Sequence, residues 1–281
     1  MCGFFYGWYL KCQSDTQTLA VIPAIHWKGR RRSCSIQVIT ESGTWGASFP
    51  AEAFRRERGA LWIGKNRFGK EGVRLAVREP GLEITGKLRF GSLAALKYDI
   101  MGPFSLLPFL ECRHQVWSME HKVQGSVCVN GQEYRFRKAV GYWEGDRGRS
   151  FPSQYIWTQS MVPGGSLMLA VADVPVFGRH IRGIICVALL HGREYRLATY
   201  LGAKAVQIGK GLVRVVQGDM ELEARILEWK AAPLKAPAKG DMARVIHENV
   251  SCRAFYRFRK RGQVLVSVET QGASFEYEYP Y

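Results

Sequence analysis

Apolar and polar residues alternate along most of this chain with a period of two, the spacing of a strand that buries one face and wets the other. Val73, Leu75 and Val77 are interleaved with Arg74 and Arg78. After the turn residues Glu79-Pro80-Gly81, Leu82, Ile84 and Leu88 are interleaved with Glu83, Thr85 and Lys87, so the pair predicts a hairpin. Val127-Cys128-Val129 runs into Asn130-Gly131, a strong two-residue hairpin signal. Met220, Leu222, Ala224 and Ile226 alternate with Glu221, Glu223 and Arg225 in the same way. No long stretch carries the 3.6-residue period of a helix, and the predicted class is all-β.

Short matches recur in a common order. Gly7-Trp8-Tyr9-Leu10-Lys11 has a counterpart in Tyr155-Ile156-Trp157-Thr158-Gln159, with the tryptophans 149 residues apart. Ile63-Gly64-Lys65 returns as Ile208-Gly209-Lys210, Leu82-Glu83 as Leu222-Glu223 and Cys112-Arg113 as Cys252-Arg253. The offset falls along the chain, as small deletions in one copy would make it. The pattern predicts two β lobes, residues 1–140 and 141–281, with the boundary near Lys138–Gly141. Each lobe is expected to curl into a barrel or strongly bent sheet that leaves few edges open.

Composition adds bounds. A chain of 281 residues that is 47% hydrophobic can build a packed core. Its net charge of +16 suits an anionic bilayer surface or a polyanion. The basic residues are scattered, however, and the tight clusters Arg30-Arg31-Arg32 and Arg257–Arg261 flank turn signals, which reads as solvated strand ends. Nucleic acid is therefore not an expected partner. The seven cysteines are odd in number and have no metal-knuckle spacing, so they read as reduced core thiols. No apolar run is long enough for a membrane helix, and the start lacks a signal-peptide layout. A cytoplasmic protein with at most peripheral membrane contact is expected.

Gly64-Lys65-Asn66-Arg67-Phe68-Gly69-Lys70 has the glycine and lysine spacing of a phosphate-binding loop, but Glu71 stands where a Ser or Thr is needed and a strand pattern follows, so it reads as a turn. The histidines (His26, His114, His121, His180, His191, His247) show no metal-ligand spacing, and no metal is predicted. Unusual chemistry is densest between Gly141 and Pro152, where Glu144, Asp146, Arg147 and Arg149 lie among Tyr142, Trp143 and Phe151. This segment is either an acid site, since apolar surroundings raise a carboxyl pKa, or a salt-bridged turn. Asp173, inside an apolar run, calls for an Arg or backbone partner.

Pro108-Phe109-Leu110-Glu111-Cys112, then Ser118-Met119-Glu120-His121 and Gln124-Gly125, resemble the tocopherol cyclase pattern of Pro-Phe-Met-Glu-Cys, Ser-Met-Asp-His and Gln-Gly. Tyr142, Glu144, Gly148, Phe151-Pro152, Trp157 and Gln159 are similar to its hallmark, in which Tyr-x-Glu-Lys-Asn-Trp-Gly leads to Phe-Pro and a Trp-x-Trp-x-Gln strand. Pro233-Leu234-Lys235-Ala236-Pro237 resembles its late Pro-Leu-Arg-Ala-Pro turn, and Phe5–Lys11 its Gly-Trp-Tyr-x-Lys start. Gly145 and Arg147 stand where the family has Lys and Trp, and Tyr155 where it has the first strand Trp, which leaves room for a different substrate.

The resemblance implies two lipocalin-like barrels, related in outline to carotenoid hydratases. It also implies a cofactor-independent cyclase, an isomerase that protonates the alkene of a prenylated phenol or quinol and closes a chromanol-type ring. On that reading the acid is a buried carboxyl, Asp146 or Glu144 first and Glu111 third, while His121 or Gln159 orients the attacking hydroxyl. Trp8, Tyr142 and Trp157 offer ring faces to the tertiary cation, and Lys11 and Arg147 complete the substrate-binding set. Two alternatives stand beside it: a terpenoid hydratase, in which water attacks, and a non-catalytic isoprenoid or lipid carrier.

Overall fold

A computed structural model describes residues 3–108, 110–176 and 179–280. Cys2 and Phe109, counted above among the thiols and the family motif, lie outside the described residues, as does Phe177. The chain is all-β as its alternation predicts, with helical turns limited to the short 3-10 segments Ala51–Ala53, Gly102–Leu106 and Thr199–Leu201 among the described residues. Among the described residues no helix is long and apolar enough to cross a membrane.

The first sheet contains β1 (Gly3–Gln13), β2 (Thr18–Lys28), β3 (Arg31–Thr40), β4 (Gly43–Pro50), β5 (Phe54–Glu57), β6 (Ala60–Ile63), β7 (Asn66–Gly69), β8 (Gly72–Glu79), β9 (Leu82–Phe90), β10 (Cys112–Val129) and β11 (Gln132–Gly148). Its order is β4-β3-β2-β1-β11-β10-β9-β8-β7-β6-β5. The second contains β12 (Tyr155–Val162), β13 (Gly165–Val176), β14 (Arg179–Leu190), β15 (Arg193–Ala198), β16 (Lys204–Gly209), β17 (Leu212–Gln217), β18 (Met220–Ile226), β19 (Ala232–Ala238), β20 (Asp241–Lys260) and β21 (Gln263–Tyr277). Its order is β15-β14-β13-β12-β21-β20-β18-β17-β16, with β19 paired to β20.

The closed barrels expected above are not what the pairing gives. Each sheet is an open path, although the first curls until β3 lies against β6 and β4 against β9, and in the second β14 approaches β16 and β15 approaches β17. Curling lets one face of each sheet enclose its own core, one lined by Trp8, Ile36, Phe68, Leu88 and Trp143, the other by Ile156, Leu169, Val213, Phe258 and Phe275. The alternation does this work directly: Val73, Leu75, Val77, Leu82, Ile84 and Leu88 are buried, while Arg74, Arg78, Glu83 and Lys87 are exposed. Between β10 and β11, Asn130 and Gly131 take φ values of 47° and 86°, as a hairpin turn of the primed kind requires.

The sheets repeat one strand order. β2, β3 and β4 correspond to β13, β14 and β15; β1, β11, β10, β9, β8 and β7 correspond to β12, β21, β20, β18, β17 and β16; the β5–β6 hairpin belongs to the first sheet alone. The tryptophan match needs a correction of one residue. Trp8 faces the core, whereas Trp157 pairs with Glu276 as Tyr9 pairs with Glu144, so Trp157 corresponds to Tyr9 and Gln159 to Lys11. A slip of one residue moves a side chain to the opposite face, and matching by residue type alone cannot see it.

The chain divides into two compact units, one of Met1–Ala95, His114–Ser150 and Lys235–Arg244, the other of Leu96–Arg113, Phe151–Leu234 and Val245–Tyr281. β11 runs without a break through Lys138–Gly141 to Gly148. In the first unit the returning segment is tied to β3, where the Gln37 side chain donates to Lys235 O at 3.0 Å and accepts from Lys235 N at 3.1 Å. Among the described residues no cysteine forms a disulfide, and Cys12, Cys34, Cys186 and Cys252 are buried.

Candidate functional site

The Tyr142–Asp146 stretch owes its placement to a slip in the pleat of β11. Tyr134 and Phe136 point into the first core, Arg137 and Lys138 are both exposed, and Ala139 and Trp143 then take over the core-facing positions. That change of parity turns Tyr142, Glu144 and Asp146 to the face away from the core. They sit opposite Lys11, Tyr9 and Gly7 of β1. Lys11, Tyr142 and Glu144 are nonetheless almost wholly buried, with 1%, 0% and 5% exposure. Buried polar groups of this kind must be paired.

The partner is a histidine from β10. His114 Nδ1 lies 3.0 Å from Asp146 Oδ1 in a hydrogen bond, and its Nε2 lies 3.0 Å from Glu144 Oε2, off the axis of a good hydrogen bond but in close electrostatic contact. The Tyr142 hydroxyl donates to Glu144 Oε2 at 2.5 Å. Burial pulls the His114 imidazole down, but the Glu144 and Asp146 carboxylates on either side outweigh it and hold it well above the ordinary histidine range. Burial and the nearby Glu144 charge push the Tyr142 phenol up, so it remains a donor. The result is an imidazolium clasped by two carboxyl groups, a unit that can hold, donate and recover a proton in a low-dielectric setting.

His114, Glu144 and Asp146 also present ligand atoms within 4.8 Å of one another, the spacing of a possible cation site. Each ring nitrogen lies 3.0 Å from a carboxylate oxygen, so a proton on the ring and a cation would compete for the same atoms.

The other sequence candidates fall elsewhere. Trp8 is on the core face of β1, packed against Trp117 and Trp143 with ring centroids 5.3 and 4.9 Å away, and its indole N–H donates to Tyr6 OH at 2.6 Å. Tyr142 is on the opposite face of the same strand pair, so the two rings do not line one surface. Arg147 is exposed, opposite Tyr6. His121 sits against Phe90, with centroids 4.4 Å apart, and its Nδ1 lies 3.0 Å from Ser118 Oγ. The Ser118 hydroxyl donates to Glu120 O, so its oxygen accepts from Nδ1–H and the bare Nε2 points at Gly141. Burial lowers the His121 pKa to about 4. It is a neutral packed ring.

Glu111, Trp157 and Gln159 belong to the second unit. Glu111 lies in the half-buried stretch just before β10. Trp157 and Gln159 are buried opposite Glu276 and Ser274, and Tyr155 OH donates to Glu276, which pairs with buried Glu248 on β20. The second sheet thus repeats a buried carboxyl at the place of Glu144. Asp173 finds the partners its burial requires in Arg182 Nε at 3.0 Å and Tyr279 OH at 2.9 Å.

Sequence reasoning missed His114, and also Tyr9 and Glu276. A signal for His114 existed: counting outward along both strands from Asn130-Gly131 brings it level with the far end of β11, beside the acidic pair.

The fold is shared at 10% identity with several solved structures. They include an AttH-type protein from Nitrosomonas europaea (TM-score 0.57, covering 100% of this chain and 93% of that one). Kievitone hydratase from Nectria haematococca aligns with a TM-score of 0.59 over 98% of this chain and 89% of its own. CghA in complex with Sch210972 aligns at 0.61 over 98% and 88%. No curated protein matches the sequence. Over residues 79–199, a stretch that holds His114, Tyr142, Glu144, Asp146 and Trp157, the chain matches the tocopherol cyclase-like family, which bears out the resemblance read from its motifs.

Proposed function

We propose that this protein is an acid catalyst of the tocopherol cyclase-like kind, a cofactor-independent isomerase that closes a prenylated phenol or quinol to a chromanol-type ring. The observation that carries the reading is the buried His114 imidazolium between Glu144 and Asp146, with Tyr142 donating to Glu144. The unit gives a proton to the less substituted carbon of a trisubstituted alkene. The phenolic oxygen attacks the resulting tertiary cation, and the phenol proton returns to the unit, so substrate and product have the same composition. Excluding water from the buried face favours ring closure over hydration. The family match and the fold shared with a hydratase agree with acid chemistry on an alkene, and the two curled sheets with lipocalin-like lobes.

The test is incubation with a prenylated quinol in oxygen-18 water, followed by mass analysis of the extract. A product of unchanged mass supports ring closure, a product heavier by one labelled water supports a hydratase, and unaltered lipid recovered at stoichiometry supports a carrier. Glu144→Gln, Asp146→Asn and His114→Gln should each lower turnover by about 10²-fold or more while ligand is still bound. Wild-type rates in all three would remove the acid assignment.

A further inference from the structure

Arg55, Trp62, Arg67, Arg74, Lys87 and Ser126 are scattered over the sequence, yet the ladders place them in one line. Arg55 pairs with Trp62, Trp62 with Arg67, Arg67 with Arg74, Arg74 with Lys87 and Lys87 with Ser126. The line crosses β5 to β10 on the outer face of the first sheet, a span of about 24 Å at the usual strand spacing. Directly opposed like charges destabilise a sheet unless something neutralises them. Arg67 has Glu71 at 2.8 Å, but Arg74 and Lys87 project into an open groove of about 790 Å³ that Lys70 and Arg89 also line.

We propose that this row is a docking surface for an anionic phospholipid bilayer. Each cation near such a surface contributes electrostatic attraction to lipid phosphates, and a half-buried tryptophan is suited to the headgroup level. Trp62 sits in the row with Arg55 4.7 Å and Arg67 5.7 Å from its ring centroid. Those guanidiniums occupy the ring surface on which a nucleic-acid base would stack, and stacking platforms are what single-strand binders need. The choice of a bilayer also rests on the proposed reading of the site, because a prenylated substrate resides in membranes.

The experiment is sedimentation of the full chain with phosphatidylglycerol/phosphatidylcholine vesicles and with pure phosphatidylcholine vesicles, at low and moderate salt and without substrate. The wild type should bind the anionic vesicles only, more weakly as salt rises. The triple variant Arg67→Gln, Arg74→Gln, Lys87→Gln should bind roughly 100-fold more weakly, while Lys204→Gln, Lys210→Gln, Lys230→Gln, an equal charge change on the second unit, should stay within about threefold of wild type. Circular dichroism checks that both variants fold. Undiminished vesicle binding by the first variant, equal binding to neutral vesicles, or displacement from vesicles by RNA at matched phosphate would each overturn the proposal. Since no substrate is present, vesicle binding fails or holds separately from ring closure.

Discussion

His114 and His121 lie on the same strand and respond to pH in opposite senses, because one ring is surrounded by carboxylates and the other by carbon. The folded pKa of His114 is raised above its unfolded value of about 6.5. Its contribution to stability is therefore complete below that pH and is lost as pH rises through the higher folded value. Removing one member of a buried charge cluster costs about 3–5 kcal/mol. His114→Gln should accordingly lower stability most near pH 6 and progressively less in alkaline buffer, as read from urea unfolding across pH. His121 is the reverse case, neutral in the fold with a pKa of about 4. The unfolded chain binds the extra proton as pH falls from about 6.5 to 4, so wild-type stability should decline over that window by on the order of 3 kcal/mol from this residue alone. His121→Phe should flatten that part of the acid limb; an unchanged slope would mean that the ring is already charged in the folded protein.

At the scale of the strand pair β1–β11, the departure from the family hallmark at Gly145 has a steric reason. A Cβ there would lie 2.5 Å from Gly7 O, 2.7 Å from Trp117 Cζ3 and 2.8 Å from Trp8 Cδ1. The space that a lysine stem would need is filled by the Trp8–Trp117–Trp143 cluster, in which Trp117 stacks on Trp143 at 5.2 Å. Gly145→Ala should cost about 1–3 kcal/mol, and Trp117→Ala in the same chain should recover part of that loss, a coupling that a double-mutant cycle measures directly. The pleat of these strands was legible in the sequence wherever alternation is strict, as in β8 and β9. It was not legible across Arg137-Lys138, where two successive exposed residues invert the pattern and decide that Glu144 leaves the core face. The acidic candidates were found because their composition is unusual, and His114 was missed because its role depends on a long-range pairing. The basic row of β5 to β9 was hidden for the same reason: its members look dispersed until cross-strand register brings them into line.

For the molecule as a whole, the duplication that the short matches point to returns as a repeated strand order, although the Ile63-Gly64-Lys65 match falls on the β6–β7 turn, outside the strands that repeat. The compact units, neither of them a single continuous segment, are not marked by those matches. Cutting after residue 140 would remove Gly141–Gly148, the part of β11 that pairs with Phe5–Cys12 of β1. It would also remove Lys235–Arg244, whose backbone satisfies Gln37 and whose Gly240 N–H donates to Arg149 O at 2.7 Å. The open flank of β1 would then carry unpaired amides beside the exposed side chains of Trp8 and Leu10, a template for aggregation. Residues 1–140 expressed alone should therefore be recovered as aggregate or show no cooperative melt, while the intact chain melts cooperatively. Extending the fragment to residue 150 restores the β1–β11 ladder but not the returning segment, so it should be more soluble yet less stable than the first unit within the full chain. Supplying Lys235–Arg244 through a short linker to that longer fragment should raise its melting temperature. A cooperative, soluble 1–140 fragment would show instead that the sequence repeat, and not the contact pattern, marks the folding unit.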